Sequence, residues 1–335
     1  MKEAIYDNAR KVHALITIFG ITTLAFLMLV NIAGAAPFAY ITHPWNNTVS
    51  VIDTANDNVT ANVTVGQRPY GVAVSPDGTK VYVANKYSNN VSVIDTTINN
   101  VTSTVTVGYA PRGVAVSPDG TNVYLTKEDN ITSVINTTTN VTTIVPVGID
   151  PYGVAVSPDG TKVYVANNDS NDVSVIDTAT NTVIATVPVG VEPWGIAVTP
   201  DGTKVYVTNT GDISDISSSG NTVSVIDTAT NTATATLVAG IAPFGVAVDP
   251  NGTNAYVVNY WSNITSVINT TTNTITATIP VGSFPWGVSV TPDGTKVYVV
   301  NYGSDDVSVI NTTTNNVTAT VQVGSRPFSL GRFIG

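Results

Sequence analysis

Residues 69–85 read PYGVAVSPDGTKVYVAN, and residues 151–167 read the same seventeen letters. A chain that writes one sentence twice is built from a repeated unit. The unit can be followed outward from its Pro-x-Gly step. The prolines that open each copy are Pro69, Pro111, Pro151, Pro193, Pro243, Pro285 and Pro327, at gaps of 42, 40, 42, 50, 42 and 42 residues. A period near 42 residues filled with short strands is the spacing of propeller blades.

The unit opening at Pro151 parses into four strands, over 153–157, 162–166, 173–177 and 182–189. Pro158-Asp159-Gly160 turns the chain between the first two. Proline fits an early turn position and glycine takes the positive φ that ends the turn. Runs such as Val163-Tyr164-Val165 are apolar on both faces, as a sheet packed between two neighbours requires. Small residues recur at the centre of the first strand (Ala73, Ala115, Ala155, Ala197, Ala247, Ser289), where a blade must taper toward the axis.

The ends of the chain settle the number of blades. Six full units run from Pro69 to Arg326. Residues 38–66 before them supply only a second, third and fourth strand, over 39–42, 48–53 and 58–65, and residues 327–335 supply only a first. Joined in one sheet, these ends complete a seventh blade and close the ring. The expected fold is therefore all-β: a seven-bladed β-propeller of four-stranded antiparallel blades over residues 37–335.

Tyr206-Val207-Thr208-Asn209 is a literal YVTN signature, with near-copies at 82–85, 164–167, 256–259 and 298–301. With the Ser/Thr-Pro-Asp-Gly-Thr turn and the Val-Ile-Asp-Thr step, the chain resembles YVTN-repeat β-propellers over residues 38–335. Many of these are surface-layer-type or exported proteins, so the resemblance implies a cell-surface role and fixes no activity. The unit at 124–127 reads YLTK, and Lys127 in place of asparagine predicts a locally different loop.

The N-terminus fits export. Lys2, Arg10 and Lys11 precede an uncharged stretch over 12–36 with an apolar heart at 15–30, and Ala33-Gly34-Ala35 offers small residues at a cleavage spacing. This predicts a secretory signal peptide over 1–36, with an uncleaved membrane anchor as the competing reading. Fourteen Asn-x-Ser/Thr sequons agree with an exported protein, and Asn62, Asn90, Asn140, Asn263 and Asn316 are candidate glycosylation sites.

Composition excludes several chemistries. The net charge is −10 with 11% charged residues, and no basic run tracks phosphates, so nucleic acid is not an expected partner. There is no cysteine, and His43 is the single imidazole outside the N-terminal segment, which leaves copper, haem and zinc without ligands. His43, placed in an N-terminal loop, is a poor base for a serine triad. One carboxylate per Asp-Gly turn is too few for calcium, and the acidic pairs Asp212/Asp215 and Asp305/Asp306 offer little more. No cofactor or metal is expected.

Variation among the repeats locates the candidate site. The Pro-Asp-Gly turns hardly change. The loops between second and third strands do change (HPWNN, NKYSNN, KEDN, NNDSND, NTGDISDISSSGN, NYWSN, NYGSDD), and the link into each new blade lies on their face. Variable loops on a fixed scaffold are where binding usually sits. The links place Arg68, Tyr70, Arg112, Asp150, Tyr152, Glu192, Trp194, Phe244, Trp286 and Arg326 around the expected channel mouth. Aromatic faces beside charges suit a sugar, a peptide or a small polar ligand. Three readings stand at this point: a non-catalytic surface module binding protein, peptide or glycan, a lactonase- or lyase-like enzyme at the channel mouth, and a structural tile of a surface coat.

Overall fold

The computed structural model describes residues 37–213 and 220–335. The 1–36 segment assigned to the leader or anchor lies outside the described residues, as do residues 214–219 of the long insertion. Among the described residues, no helix is long and apolar enough to cross a membrane.

Within the described residues, twenty-seven strands form six four-stranded antiparallel sheets and one sheet of three strands. The incomplete sheet comes first: β1 (Phe38–His43), β2 (Thr48–Asp53) and β3 (Asn58–Thr64). The first complete blade is β4 (Pro69–Val74), β5 (Lys80–Asn85), β6 (Asn90–Asp95) and β7 (Asn100–Thr106), and its order repeats in every later blade. First strands begin at the anchoring proline rather than two residues after it. Pro151, for example, pairs with Asn167 before a bulge that ends at Val154. Second and third strands are buried almost throughout, whereas fourth strands alternate and form the outer rim.

Residues 327–335 fill the missing place. Phe38 N donates to Gly335 O at 3.1 Å, Tyr40 N to Phe333 O at 2.9 Å, and Phe328 N to Thr42 O at 2.9 Å, so β1 gains its inner neighbour. The same segment also receives bonds from the next blade, where Val72 N and Val74 N donate to Leu330 O and Arg332 O at 2.9 and 3.1 Å. Phe333 and Ile334 are fully buried in the core shared by the first and last blades. A second clasp lies nearer the rim, where Asp57 accepts from Lys296 Nζ at 2.9 Å and from the Tyr298 hydroxyl.

The repeated letters have separate structural jobs. The signature tyrosines Tyr82, Tyr124, Tyr164, Tyr206, Tyr256 and Tyr298, with Tyr40, are buried among neighbouring blades. Glycine in Pro-x-Gly permits inner strands to approach, since a Cβ on Gly71 would stand 2.1 Å from the Arg112 carbonyl oxygen. The last asparagine of the signature ties the second strand to the third. Asn85 donates to Ser92 Oγ at 2.9 Å, and Asn167, Asn209, Asn259 and Asn301 do the same.

Two blades depart from this tie. Lys127 is buried and pairs with Asp129 at 3.2 Å, leaving Ser133 Oγ without a hydrogen bond among the described residues. His43 is the last residue of β1 and fully buried, not part of a loop, and its Nε2 meets Ser50 Oγ at 2.8 Å.

Burial pushes the His43 imidazole down to about 4, partly offset by the Gly324 and Ser325 backbone and by Asp305. The unfolded chain binds this proton below about pH 6.5, so stability is complete above that pH and declines toward pH 4. The decline amounts to about 3 kcal/mol at the acid end. His43→Asn restores the repeat's asparagine and is expected to remove that decline. Urea midpoints at pH 7 and 4.5 measure it, and identical pH slopes in both proteins would refute the assignment.

Candidate functional site

Each link is held by a device built from the backbone. The residue before the anchoring proline has a left-handed φ in all seven blades, between 44° and 55°: Arg68, Ala110, Asp150, Glu192, Ala242, Phe284 and Arg326. Such a conformation costs a non-glycine residue about 1 kcal/mol or more unless its surroundings impose it. Here an Asn or Asp just before each third strand imposes it. Asn47 Oδ1 accepts from Arg68 N at 3.0 Å, and Asn89, Asn130, Asn171, Asn221, Asn263 and Asp305 repeat the bond at 2.7–3.0 Å. The loop of one blade thus fixes the link to the next, which places loops and links on one face.

The residue after each proline turns toward the axis, and these side chains pack on one another. Tyr152 stacks on Trp194 at 3.6 Å between ring centroids. Trp194 meets Phe244 at 4.9 Å, Phe244 meets Trp286 at 4.2 Å, Trp286 meets Phe328 at 4.5 Å and Phe328 meets Tyr70 at 4.3 Å. Arg112 lies over Tyr152 at 3.9 Å, and Lys86 lies over Tyr70 at 5.2 Å. Trp194 and Trp286 also touch across Phe244, at 5.6 Å. Six of the ten sequence-selected residues therefore form, with Phe328, a packed rosette across the channel mouth. The indole N–H groups of Trp194 and Trp286 are buried without a hydrogen bond among the described residues.

Arg112 anchors the polar side of the rosette. It is buried, with Nη1 2.6 Å from Asp150 and Nη2 2.6 Å from Glu128, which also pairs with Lys86. Burial alone would lower the guanidinium pKa, but Tyr152, Glu128 and Asp150 outweigh it and hold the pKa above its usual value. Asp150 therefore joins the rosette as a counter-ion.

The other three selected residues lie apart from the rosette, Arg68 and Arg326 in one sector and Glu192 in another. Arg68 is clasped by Trp45 and Tyr87, 3.7 and 5.1 Å from their ring centroids, and Arg326 shares Trp45 at 5.3 Å. Trp45 and Tyr87 are 54% and 59% exposed. Glu192 faces an acidic sector, where burial, then Asp212 and Asp169, raise its carboxyl pKa. Phe284 packs with Tyr260 and Trp261 in an aromatic sector. Trp45 and Tyr87 were legible as the odd letters of HPWNN and NKYSNN, but their clasp on Arg68 needs the three-dimensional register.

Among the described residues, no group of three or more His, Asp or Glu is placed to hold a metal ion. Asp305 accepts from Arg326 N and Asp306 from Asn301 Nδ2, while Asp215 lies outside the described residues. Of the candidate sequons, Asn62, Asn140 and Asn316 are exposed. Asn90 and Asn263 are half-buried, and their side-chain oxygens accept from Asn85 and from Phe284 N.

Beneath the rosette runs the axial cavity, about 570 Å³, lined by the first strands. Its lining extends from the glycines of the Pro-x-Gly steps to the prolines of the Pro-Asp-Gly turns.

A family model described as a YNCE-like beta-propeller matches residues 11–127, less than half of the chain. No curated protein matches the sequence. Among solved structures, Kuenenia stuttgartiensis hydrazine synthase is similar, with a TM-score of 0.73 and 24% identity, covering 85% of this chain and 97% of that one. A functionally unknown protein from Desulfotomaculum acetoxidans DSM 771 is similar with a TM-score of 0.74 and 17% identity, covering 88% and 99%. At these identities the likeness concerns the propeller fold alone.

Proposed function

We propose that this propeller is an exported, non-catalytic recognition module that binds an acidic glycan or acidic peptide segment on its variable loop face. The observation that carries this reading is the clasp of Arg68 between two half-exposed aromatic rings, with no carboxylate partner among the described residues. Aromatic faces stack on sugar rings or peptide groups, and a guanidinium supplies paired donors to a carboxylate. Arg326, also against the Trp45 ring, doubles the positive charge of this sector. The non-catalytic reading is supported by Asp150, whose pairing with Arg112 leaves few free acids at the mouth. Export is supported by the basic and then apolar N-terminus.

The test is a screen of acidic and neutral glycans and peptides against the intact protein, followed by titration of Trp45→Ala and Arg68→Ala. Each variant is expected to bind the best acidic ligand about tenfold or more weakly, the effect of losing about 1.4 kcal/mol or more. Both residues are on the surface, so thermal unfolding should barely move. Unchanged affinity in both variants would remove this sector from the site.

A further inference from the structure

The axial cavity opens away from the loop face and has its own chemistry. Six first strands place a valine at the same register near its entrance, among them Val74, Val156 and Val290. In the closing segment that register is held by Arg332, the one charged side chain among the residues that line the cavity. The bond from Val74 N to Arg332 O fixes its backbone. Arg332 lines the cavity while its side chain stays exposed, and partial desolvation lowers the guanidinium pKa below its usual value. No hydrogen bond or ion pair holds its guanidinium among the described residues. The aspartates of the Pro-Asp-Gly turns do not neutralise it, because each is held by its own turn. Asp77, for example, accepts from Ser75 Oγ at 2.6 Å and from Thr79 N at 3.0 Å.

A guanidinium with no counter-ion at the mouth of an apolar cavity is a natural partner for an anion whose body enters the cavity. The walls are apolar, and a cavity of about 570 Å³ is of small-molecule size. From Gly113 to Pro118, both on its lining, the channel is about 16 Å deep at the rise of a strand. Turn aspartates beside the entrance prolines disfavour ligands with several negative charges. We propose that the cavity binds a small organic monocarboxylate with a slender apolar body, its carboxylate on the Arg332 guanidinium and its body along the valine and alanine walls.

Isothermal titration of the intact protein with sodium octanoate tests this, with 1-octanol as the neutral counterpart. Octanoate should bind once per propeller, and Arg332→Met should weaken it about tenfold or more. Octanol should bind far more weakly than octanoate to the wild type. Arg332→Lys keeps the charge without the fork and should fall between wild type and Arg332→Met. Arg332→Met returns the register to an apolar residue, so its thermal transition should be kept or raised. Arg68→Ala should bind octanoate as the wild type does, which separates this cavity from the loop-face site. No binding at millimolar octanoate, equal affinity in Arg332→Met, or equal affinity for octanol would overturn the proposal.

Discussion

Deletion of residues 327–335 is expected to abolish the cooperative unfolding transition. The segment inserts Phe328, Leu330, Phe333 and Ile334 into the interior, all buried. At about 1.5–3 kcal/mol for each large apolar side chain, their loss approaches the whole net stability of an ordinary domain. The damage is also topological. Without the segment, β1 loses its inner partner and the N–H groups of Phe38 and Tyr40 are left on an open edge. The truncated protein should elute as high-mass species in size exclusion and show no sharp calorimetric peak. Phe333→Ala is the milder companion, expected to cost about 3–5 kcal/mol while leaving the backbone closure in place. A truncated chain that melts as one sharp transition near the wild-type temperature would show that the clasp of Asp57 on Lys296 and Tyr298 suffices to close the ring.

The second large effect is expected at the rosette. Trp286 touches Trp194, Phe244, Tyr260, Tyr302 and Phe328, and so joins four blades, its own included. Trp286→Ala should cost about 3–5 kcal/mol, because the neighbouring rings are pinned to their own proline steps and cannot collapse into the gap. Trp286→Phe keeps a ring there and should cost about half as much or less. Chemical denaturation reads the cost, and near-UV circular dichroism reads the loss of the coupled tryptophan pair. A loss below about 1 kcal/mol in Trp286→Ala would mean that the rosette is loosely packed and that its aromatics are available to a ligand.

The blade was legible in the sequence because each strand carries the same letters in every copy, and the closure was legible because three strands at one end meet one at the other. The rosette was legible only in part. The residue after each proline could be read as aromatic, but nothing in Pro-Trp-Gly says whether that ring meets solvent or another ring. The packing depends on seven strands converging, and the distance between Trp194 and Trp286 is a property of the ring rather than of either repeat. The residue before each proline was assigned to the same mouth, whereas its left-handed φ turns Arg68 and Arg326 toward Trp45 and Glu192 toward an acidic sector. The signal for that was present, since an Asn or Asp stands before every third strand. Arg332 was equally visible, because aligning PFSLGRFIG on PWGVSVTPD sets an arginine against a valine.

The staple at the links has a further consequence. At six of these links the N–H is taken by an Asn side chain and the carbonyl by a backbone N–H such as that of Lys86 or Tyr260. The held residue contributes its main chain to the staple, which asks nothing of its side chain, and arginine, alanine, aspartate, glutamate and phenylalanine all occupy the position. The face can therefore be rewritten like a seven-letter word on fixed lines. A library randomised at these positions, with Asp150 kept as the partner of Arg112, would vary recognition while the lettering, and not the page, changes.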